Sequence, residues 1–447
     1  MRRFVPLACV VLALAGCGGK RTVAKRAGPM EPPAFWVWHR SSAFHPAELT
    51  SLREAGVERL FQQVAECRWA GGSWQVKRIA PAREAPSGIE VVPVFRLAPD
   101  ASFLGNPSSA GALAERVRAW SEAVPIPAEV QLDFDCPDRV LGEYAAFLER
   151  FAEGVSPSSV SITALAAWPR HPEFQRLAKP VRAFYPMFYD LVADKPEDVL
   201  QGRFVPLADP ASGLLIRAWR VCPKPWFAGL PNFERVSRFG ADGRLEGHLR
   251  DWDAGSMMRW NAPEISEHGV TIQKEGGRTT VHRIPHETEL RKLIECADEA
   301  GASGVIFFAL PGPGTHAAYT PSHLARKAPP RLRVEVGPKG EIELRNPGPA
   351  DLPTRICDPE DASRRCWTLV LSGSPGMFGA SFPGEFVESD TGNVPAEMTS
   401  RIRFRFPALP AGAMIRSGPV LQSSAVLAAE IEGAPEIRVE VASDSAR

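Results

Sequence analysis

Eight short apolar runs alternate with amphipathic stretches between about Pro33 and Pro311, and this alternation limits the chain to few folds. The runs lie at 35–38, 60–64, 91–95, 130–133, 160–164, 184–189, 226–230 and 304–309. Helical periodicity follows at 46–55, 110–123, 141–153 and 287–300, where we expect Gly56, Gly154 and Gly301 to end three of the helices. Strands that alternate with helices form parallel sheets, and eight such units over about 280 residues fit a (β/α)8 TIM-type barrel, which usually needs about 250. We therefore predict an α/β barrel over residues 32–325, with an open doubly wound sheet as the alternative.

Two connections in this region depart from a simple strand and helix alternation. Residues 64–90 are rich in glycine, proline and tryptophan, including Trp69 and Trp74, and show no helical periodicity. A long polar insertion, at about 234–285, separates the seventh and eighth strands. Such loops commonly build the rim of a barrel's functional site, so we expect both to form pocket walls.

The pattern changes after residue 330, where apolar and polar residues alternate at 332–336, 341–344, 401–406 and 437–441. Period-two alternation is typical of strands with one buried face. We predict a small all-β, sandwich-like domain over residues 330–447. It would brace the barrel or contact an envelope protein partner, and glycan binding is the alternative.

The N-terminus reads as a targeting signal. Arg2 and Arg3 precede an apolar stretch, and the sequence Leu14-Ala15-Gly16-Cys17 is similar to a bacterial lipoprotein lipobox. The resemblance implies a signal peptide over residues 1–16, a lipidated Cys17 and a flexible tether over residues 17–31. Gly18 is not the aspartate associated with inner-membrane retention, so we expect an outer-membrane anchor in the bacterial cell envelope. An ordinary secretory signal is the alternative.

Charge and cysteine content restrict the partners. The chain has 52 basic and 52 acidic residues, and loss of Arg2 and Arg3 leaves 50 against 52, a net charge of −2. This balance gives no electrostatic basis for binding nucleic acid, and we expect the membrane to be reached through the lipid anchor alone.

Six of the eight cysteines remain once Cys9 leaves with the signal and Cys17 takes lipid. An oxidising compartment permits disulfides, and Cys357 and Cys366, which flank a polar loop, are the candidate pair. There is no Cys-x-x-Cys and no His-Glu-x-x-His, so we expect neither a metal site nor a cofactor. Cys67, Cys222 and Cys296 are expected to be buried thiols.

The fourth apolar run carries the most unusual pattern, Gln131-Leu132-Asp133-Phe134-Asp135-Cys136-Pro137. Side chains alternate faces in a strand, so Gln131, Asp133 and Asp135 share one face while the apolar residues between them share the other. Functional groups of a parallel barrel sit at the carboxyl ends of strands. Polar or aromatic residues end seven of the predicted strands: His39 and Arg40, Glu66, Arg96, Asp133 and Asp135, Trp168, Tyr189 and Asp190, and Asn232.

These strand ends suggest a carbohydrate site. Two aspartates on one face raise each other's proton affinity unless an arginine compensates, which suits acid/base chemistry, and glycoside hydrolysis uses two carboxyl groups. We predict Asp135 as the acid/base, Asp133 as the group that tunes its pKa, and Tyr189 with Asp190 as stabilisers of the reacting sugar. The predicted substrate-binding residues are His39, Arg40, Glu66, Arg96, Trp168 and Asn232. A purely structural role, with an aspartate buried against an arginine, is the alternative.

The residues so arranged resemble the bacterial domain-of-unknown-function family 3142, a family with no established activity. The resemblance lies in the motifs at 35–40, 131–137, 161–165 with Trp168, and 185–190, and it covers about residues 33–310. It implies the barrel fold and a bacterial location.

A more distant similarity links the chain to chitinase-like family-18 glycoside hydrolases. Asp133-Phe134-Asp135 matches the start of their Asp-x-Asp-x-Glu motif, and Met187-Phe188-Tyr189-Asp190 matches their Met-x-Tyr-Asp motif. Pro137 occupies the position of their proton-donating glutamate, so their mechanism does not carry over intact. Another acid, Asp138, Glu66 or Asp190, would donate the proton, or the barrel would bind a polysaccharide or oligosaccharide without cleaving it.

Overall fold

The computed structural model of the chain describes residues 28–40, 43–79, 88–121, 127–257, 264–265, 268–312, 316–325, 329–337, 341–355, 366–377, 387–389, 399–419 and 426–442. The predicted signal peptide, the lipidated Cys17 and most of the predicted tether lie outside these ranges. Residues 28–31, the end of the predicted tether, lie against the barrel, where the Glu31 amide donates to the Ser303 carbonyl over 2.8 Å. Within the described ranges, no helix has the length and apolar character needed to cross a bilayer.

Eight parallel strands close into a barrel, which confirms the predicted fold class. The strands of the first 310 residues are β1 (Ala34–Val37), β2 (Arg59–Ala70), β3 (Ser73–Arg78), β4 (Glu90–Leu97), β5 (Glu129–Asp133), β6 (Ser159–Leu165), β7 (Ala183–Met187), β8 (Phe227–Pro231), β9 (Arg235–Phe239), β10 (Leu245–Leu249), β11 (Glu264–Ile265), β12 (Val270–Glu275), β13 (Arg278–Arg283) and β14 (Gly304–Phe308). The barrel contains β1, β2, β4 to β8 and β14, and it closes because β1 pairs in parallel with both β2 and β14. An open sheet is excluded by this closure.

Helices surround the barrel. They are α1 (Pro46–Glu54), α2 (Ser109–Ser121), α3 (Leu141–Val155), α4 (Phe174–Leu177), α5 (Pro196–Leu200), α6 (Ser212–Ala218), α7 (Ala254–Met257), α8 (Glu287–Glu299) and α9 (Pro321–Ala325). Gly56 and Gly301 follow α1 and α8 with φ of 66° and 84°, the left-handed conformation that ends helices. The expectation for Gly154 was wrong, because this residue lies inside α3, where α2 approaches too closely for a side chain.

Aromatic side chains fill the inside of the barrel. Tyr185 stacks on Phe227 with ring centroids 4.9 Å apart and tilts against Phe61 at 4.6 Å. Trp36 lies above them and donates from Nε1 to Gln131 Oε1 over 2.8 Å. Near the amino ends of the strands, Arg59 donates to buried Glu129 over 2.8 Å. The inside of the barrel is therefore a packed core that supports the residues at the carboxyl ends of the strands.

Both unusual connections contain sheet. The glycine- and tryptophan-rich connection continues β2 into an antiparallel hairpin with β3, in which Trp69 pairs with Trp74. The insertion after β8 forms a five-stranded antiparallel sheet in the order β10-β9-β13-β12-β11. This sheet, called the insertion sheet below, stands beside the carboxyl ends of β7 and β8.

The C-terminal region is all-β. Its strands are β15 (Arg331–Val336), β16 (Glu341–Arg345), β17 (Trp367–Met377), β18 (Val387–Ser389), β19 (Thr399–Phe406), β20 (Met414–Pro419), β21 (Val426–Ile431) and β22 (Arg438–Val441). They form two four-stranded sheets, β20-β16-β15-β22 and β18-β19-β17-β21, that share one apolar core containing Leu344, Leu369 and Phe404. Cys366 is disulfide-bonded, whereas Cys357 lies outside the described residues. Cys67, Cys136, Cys222 and Cys296 are free and buried.

Candidate functional site

A cleft of about 630 Å³ opens at the carboxyl ends of the barrel strands. Its floor is polar and comes from Arg96 of β4, Asp133 of β5 and Thr163 of β6, with Asp135 and Asp138 just beyond β5. Its remaining lining is largely apolar: Trp36, Trp38, Leu165, Ala166, Ala167, Met187, Leu191, Val192, Leu215 and Phe308, with Tyr189 and Asp190 at one side.

Asp133 is the most perturbed group on this floor. The residue is only 6% exposed, and its Oδ1 accepts a hydrogen bond from Thr163 Oγ1 over 2.8 Å. Arg96 Nη1 lies 3.6 Å from its other oxygen. Burial raises the pKa of Asp133 to about 6; the nearby charge of Arg96 and the Thr163 hydrogen bond lower it, while Asp135 raises it further. Asp133 therefore carries a proton at mildly acidic pH, as few aspartates do.

The residues after Asp133 point alternately into the core and into the cleft. Phe134 and Cys136 are buried, and Phe134 packs on Phe103 and Tyr144. Asp135 is exposed in the cleft, and so is Asp138, which begins a 3-10 turn after Pro137. Apolar anchoring on one face thus holds two accessible carboxylates on the other.

Tyr189 and Asp190 lie at the end of β7 and have different surroundings. The Tyr189 ring stacks on Phe308 at 5.7 Å between centroids, and desolvation with Asp133 nearby raises the pKa of its hydroxyl well above the usual value. The Asp190 carboxylate forms a two-point ion pair with Arg235 of the insertion sheet. Asp190 also adopts a φ of 54°, a left-handed conformation that aspartate tolerates better than most residues.

The predicted substrate-binding residues divide into two groups. Arg96 lies in the cleft, half-exposed beside Asp133. Glu66 is paired in strand register with Lys77 and Arg96, and it does not line the cleft. His39 is exposed with a φ of 52° and lies outside the cleft lining.

Arg40, Trp168 and Asn232 are buried away from the cleft. Arg40 donates to both oxygens of Glu48 at 2.8 and 2.7 Å. Trp168 is fully buried and packs against Tyr144. Asn232 donates to the carbonyls of Ala309 and Tyr319, each at 3.0 Å, and so ties the end of β8 to the chain after β14. These three side chains hold the scaffold beneath and around the site.

Several cleft residues were not among the predicted site residues. Thr163 could have been found, because it lies near the end of β6 with the same period-two alternation that identifies Asp133. Phe308 belongs to an apolar run with no polar signal, while Leu191, Val192 and Leu215 are ordinary apolar residues in the sequence. The paired Trp69 and Trp74 lie outside the cleft lining.

No group of three or more histidine, cysteine, aspartate or glutamate side chains is placed to hold a metal ion in the part of the chain that the structure describes. The site is thus defined by the carboxyl groups at the end of β5, one arginine and an aromatic and aliphatic wall.

A closed (β/α)8 barrel with a carboxylate-bearing cleft at its carboxyl face is the class of protein that these observations define. Residues 87–185 match the family model described as domain of unknown function (DUF3142). The matched segment is under a quarter of the chain and contains the motif at 131–137, so the predicted family resemblance is confirmed there. No curated protein matches the chain.

Similar solved structures include three enzymes. The spore cortex-lytic enzyme SleL of Bacillus megaterium QM B1551 is 12% identical, with a TM-score of 0.46 over 66% of this chain and 73% of that one. A family GH18 chitinase from Chromobacterium violaceum is 11% identical, with a TM-score of 0.45 over 93% of this chain and 94% of that one. Chitinase ChiA74 from Bacillus thuringiensis is 10% identical, with a TM-score of 0.44 over 90% of this chain and 100% of that one. Likenesses this distant assign neither a substrate nor a reaction to this chain.

Proposed function

We propose that the cleft binds a carbohydrate chain and hydrolyses a glycosidic bond, with Asp135 as the acid/base. The observation that carries this proposal is the pair formed by buried Asp133, with a pKa of about 6, and exposed Asp135 in a cleft lined by aromatic rings. Two nearby carboxyl groups in different environments, one buried and one exposed, suit a division of acid and base roles in glycoside cleavage.

The two aspartates would have different roles because one is buried and the other is exposed. Asp133 is buried and fixed by Thr163 and Arg96, so it would act on its neighbour through charge rather than by touching the sugar. Asp135 is exposed in the cleft and is the member that reaches a glycosidic oxygen. The Tyr189 hydroxyl remains protonated at physiological pH and can donate a hydrogen bond to the sugar or to a developing charge.

The aromatic wall would hold the sugar. Trp38 packs edge-on against Phe308 with centroids 5.5 Å apart, and both rings line the cleft. The apolar faces of pyranose rings stack on such side chains while carboxylates accept hydrogen bonds from the hydroxyls. Asp138 provides a further carboxylate in the cleft.

Product release from a panel of bacterial and plant polysaccharides tests this function. The wild type should release new reducing ends, and Asp135→Asn should lose at least 99% of that rate while its melting temperature stays nearly unchanged. Glu115→Gln, which removes an exposed carboxyl on α2, serves as the matched control and should keep full activity. Full activity in Asp135→Asn would overturn the role of Asp135.

Pro137 favours a second candidate, a non-catalytic glycan-binding barrel. Proline stands where the resembling chitinases have their proton donor, and a proline cannot protonate a leaving group. This candidate predicts saturable glycan binding with no product after prolonged incubation of either the wild type or Asp135→Asn. Cleavage by the wild type would exclude it.

We also propose that a lipidated Cys17 anchors the protein in the bacterial envelope, at the outer membrane where two membranes are present. The support is the lipobox-like sequence ending at Cys17 and the glycine that follows it. The wild type should partition into the detergent phase of a bacterial extract, and Cys17→Ser into the aqueous phase. Aqueous partitioning of both would contradict the anchor.

A further inference from the structure

The loop after β7, residues 188–194, is tied to the insertion sheet at two places. Asp190 pairs with Arg235 of β9, and Asp194 accepts from Arg283 of β13 over 2.6 Å. Asp194 also accepts from the Val205 amide over 3.1 Å. The loop is therefore held in one position by side-chain contacts on both sides of its tip.

This fixed loop presents apolar side chains to water at the edge of the cleft. Leu191 is 37% exposed and Val192 is 54% exposed, and both line the cleft. Leu165, Ala167 and Leu215 line the same cleft, so its apolar lining is not confined to the loop. Exposed apolar side chains that are contiguous and rigidly held mark a binding surface more often than scattered ones do.

The floor of the cleft has a different chemistry. Asp133, Asp135 and Asp138 line it, and among the described residues of the lining Arg96 is the one cation. The three aspartates outnumber this one arginine, which lies 3.6 Å from Asp133. A ligand with an anionic head would meet like charge on this floor, whereas neutral hydroxyl groups would find acceptors.

We propose that the natural ligand is a neutral sugar that carries an apolar substituent, an alkyl or acyl chain or an aromatic aglycone, and that this substituent lies on Leu191 and Val192. The placement of the sugar rests on the proposed function, while the apolar contact rests on the loop and its wall. A buried methylene contributes about 0.8 kcal/mol, and 1.4 kcal/mol is a factor of ten, so two buried methylenes would raise the affinity about tenfold.

Binding of n-octyl-β-D-glucopyranoside and methyl-β-D-glucopyranoside to the full chain tests this inference, with titrations by calorimetry below the micellar concentration of the octyl compound. The wild type should bind the octyl compound at least tenfold more tightly than the methyl one. The double variant Leu191→Ser with Val192→Ser should lose most of that difference. The matched control, Leu214→Ser with Leu245→Ser, removes two side chains that are 68% and 51% exposed outside the cleft lining and should keep it.

Equal affinity for the two glucosides, or absence of octyl glucoside binding, would overturn the inference. Equal loss in the cleft variant and in the control would also overturn it, because the gain would then not arise at the loop. Sodium octanoate should bind at least tenfold more weakly than octyl glucoside, and equal binding would refute the neutral head group. Polysaccharide cleavage without an octyl preference would contradict this inference alone, whereas an octyl preference without any cleavage would contradict the hydrolytic function alone.

Discussion

Asp133 links the architecture of the site to the pH behaviour of the whole protein. An aspartate in an unfolded chain titrates near pH 3.9, whereas burial raises the pKa of Asp133 to about 6. Between these values the folded protein binds more protons than the unfolded one, so the free energy of unfolding falls as the pH rises from about 4 to about 6. A shift of about two pH units corresponds to about 3 kcal/mol.

Asp133→Asn should remove this loss of stability. The amide cannot ionise, so the variant should gain about 3 kcal/mol relative to the wild type when the pH is raised from 4 to 7. Urea denaturation at both pH values measures the difference. In Glu115→Gln, at an exposed site, the free energy of unfolding relative to the wild type should be the same at both pH values. The same constancy in Asp133→Asn would contradict the raised pKa.

Residue identity alone did not distinguish site from scaffold at several strand ends. Trp168 and Asn232 have side chains typical of a sugar site, yet both lie in the core. Trp168 belongs to a 3-10 turn after its strand, and Asn232 is held by a hydrogen bond to the Ala309 carbonyl. The two-point contact between Asp190 and Arg235 joins residues 45 apart in sequence, so no local sequence pattern could predict it. Asp133 and Asp135 could be placed in one site because their alternation with buried neighbours is a strictly local property.

At the scale of elements, the barrel strands were predictable because parallel strands are buried on both faces and read as continuous apolar runs. The insertion sheet escaped prediction because a strand such as β10, with no buried residue, carries little apolar signal. Strand β17 contains the sequence Ser-Gly-Ser-Pro-Gly before its last residue, a pattern typical of a turn. Pairing with β19 and β21 holds this strand as far as Gly373, and the register with β19 shifts between Ser372 and Met377.

From the packing of α2 against α3 we expect alanine substitutions at two helical glycines to change the free energy of unfolding in opposite directions. A Cβ at Gly154 of α3 would lie 2.6 Å from the Ala114 Cβ of α2, while a Cβ at Gly111 of α2 would meet no atom within 4 Å. Gly154→Ala should therefore lower the free energy of unfolding by about 1–3 kcal/mol through overpacking. Gly111→Ala should raise it by about 0.5–1 kcal/mol through helix propensity.

Urea denaturation of both glycine variants beside the wild type measures these changes. The two substitutions add the same methyl group, so each is the control for the other. Stabilisation by Gly154→Ala, or equal effects of the two, would contradict the close helix contact.

In the whole molecule, buried polar groups join the C-terminal domain to the barrel. The Asp351 carboxylate accepts from the amide and hydroxyl of Thr320, at 2.6 and 2.8 Å, and from the Ala411 amide at 2.7 Å. Thr354 donates to Glu234 over 2.8 Å, and Glu234 in turn contacts buried His282 of the insertion sheet at 2.8 Å. The C-terminal domain thus braces the barrel rim that bears the cleft, while a protein partner for this domain stays a prediction.

Asp351→Ala should weaken this junction. The substitution removes one acceptor from three buried or half-buried donors, which should lower the free energy of unfolding by about 3 kcal/mol or more. Urea denaturation checks the value, with Glu115→Ala as an exposed carboxyl control that should change stability by less than about 0.5 kcal/mol. A change in Asp351→Ala no larger than in the control would contradict the bracing role.

We propose that glycan binds in the cleft at the carboxyl face of the barrel and not in another groove of the molecule. A second groove of about 540 Å³ on the insertion sheet contains Trp252, which stacks on His316 with ring centroids 4.3 Å apart. The most direct test uses a polysaccharide that the wild type binds. Its affinity is measured for the wild type, for Trp38→Ala and for Trp252→Ala. We expect at least a tenfold loss of affinity for Trp38→Ala and an unchanged affinity for Trp252→Ala. The reverse result, or no loss in Trp38→Ala, would contradict it.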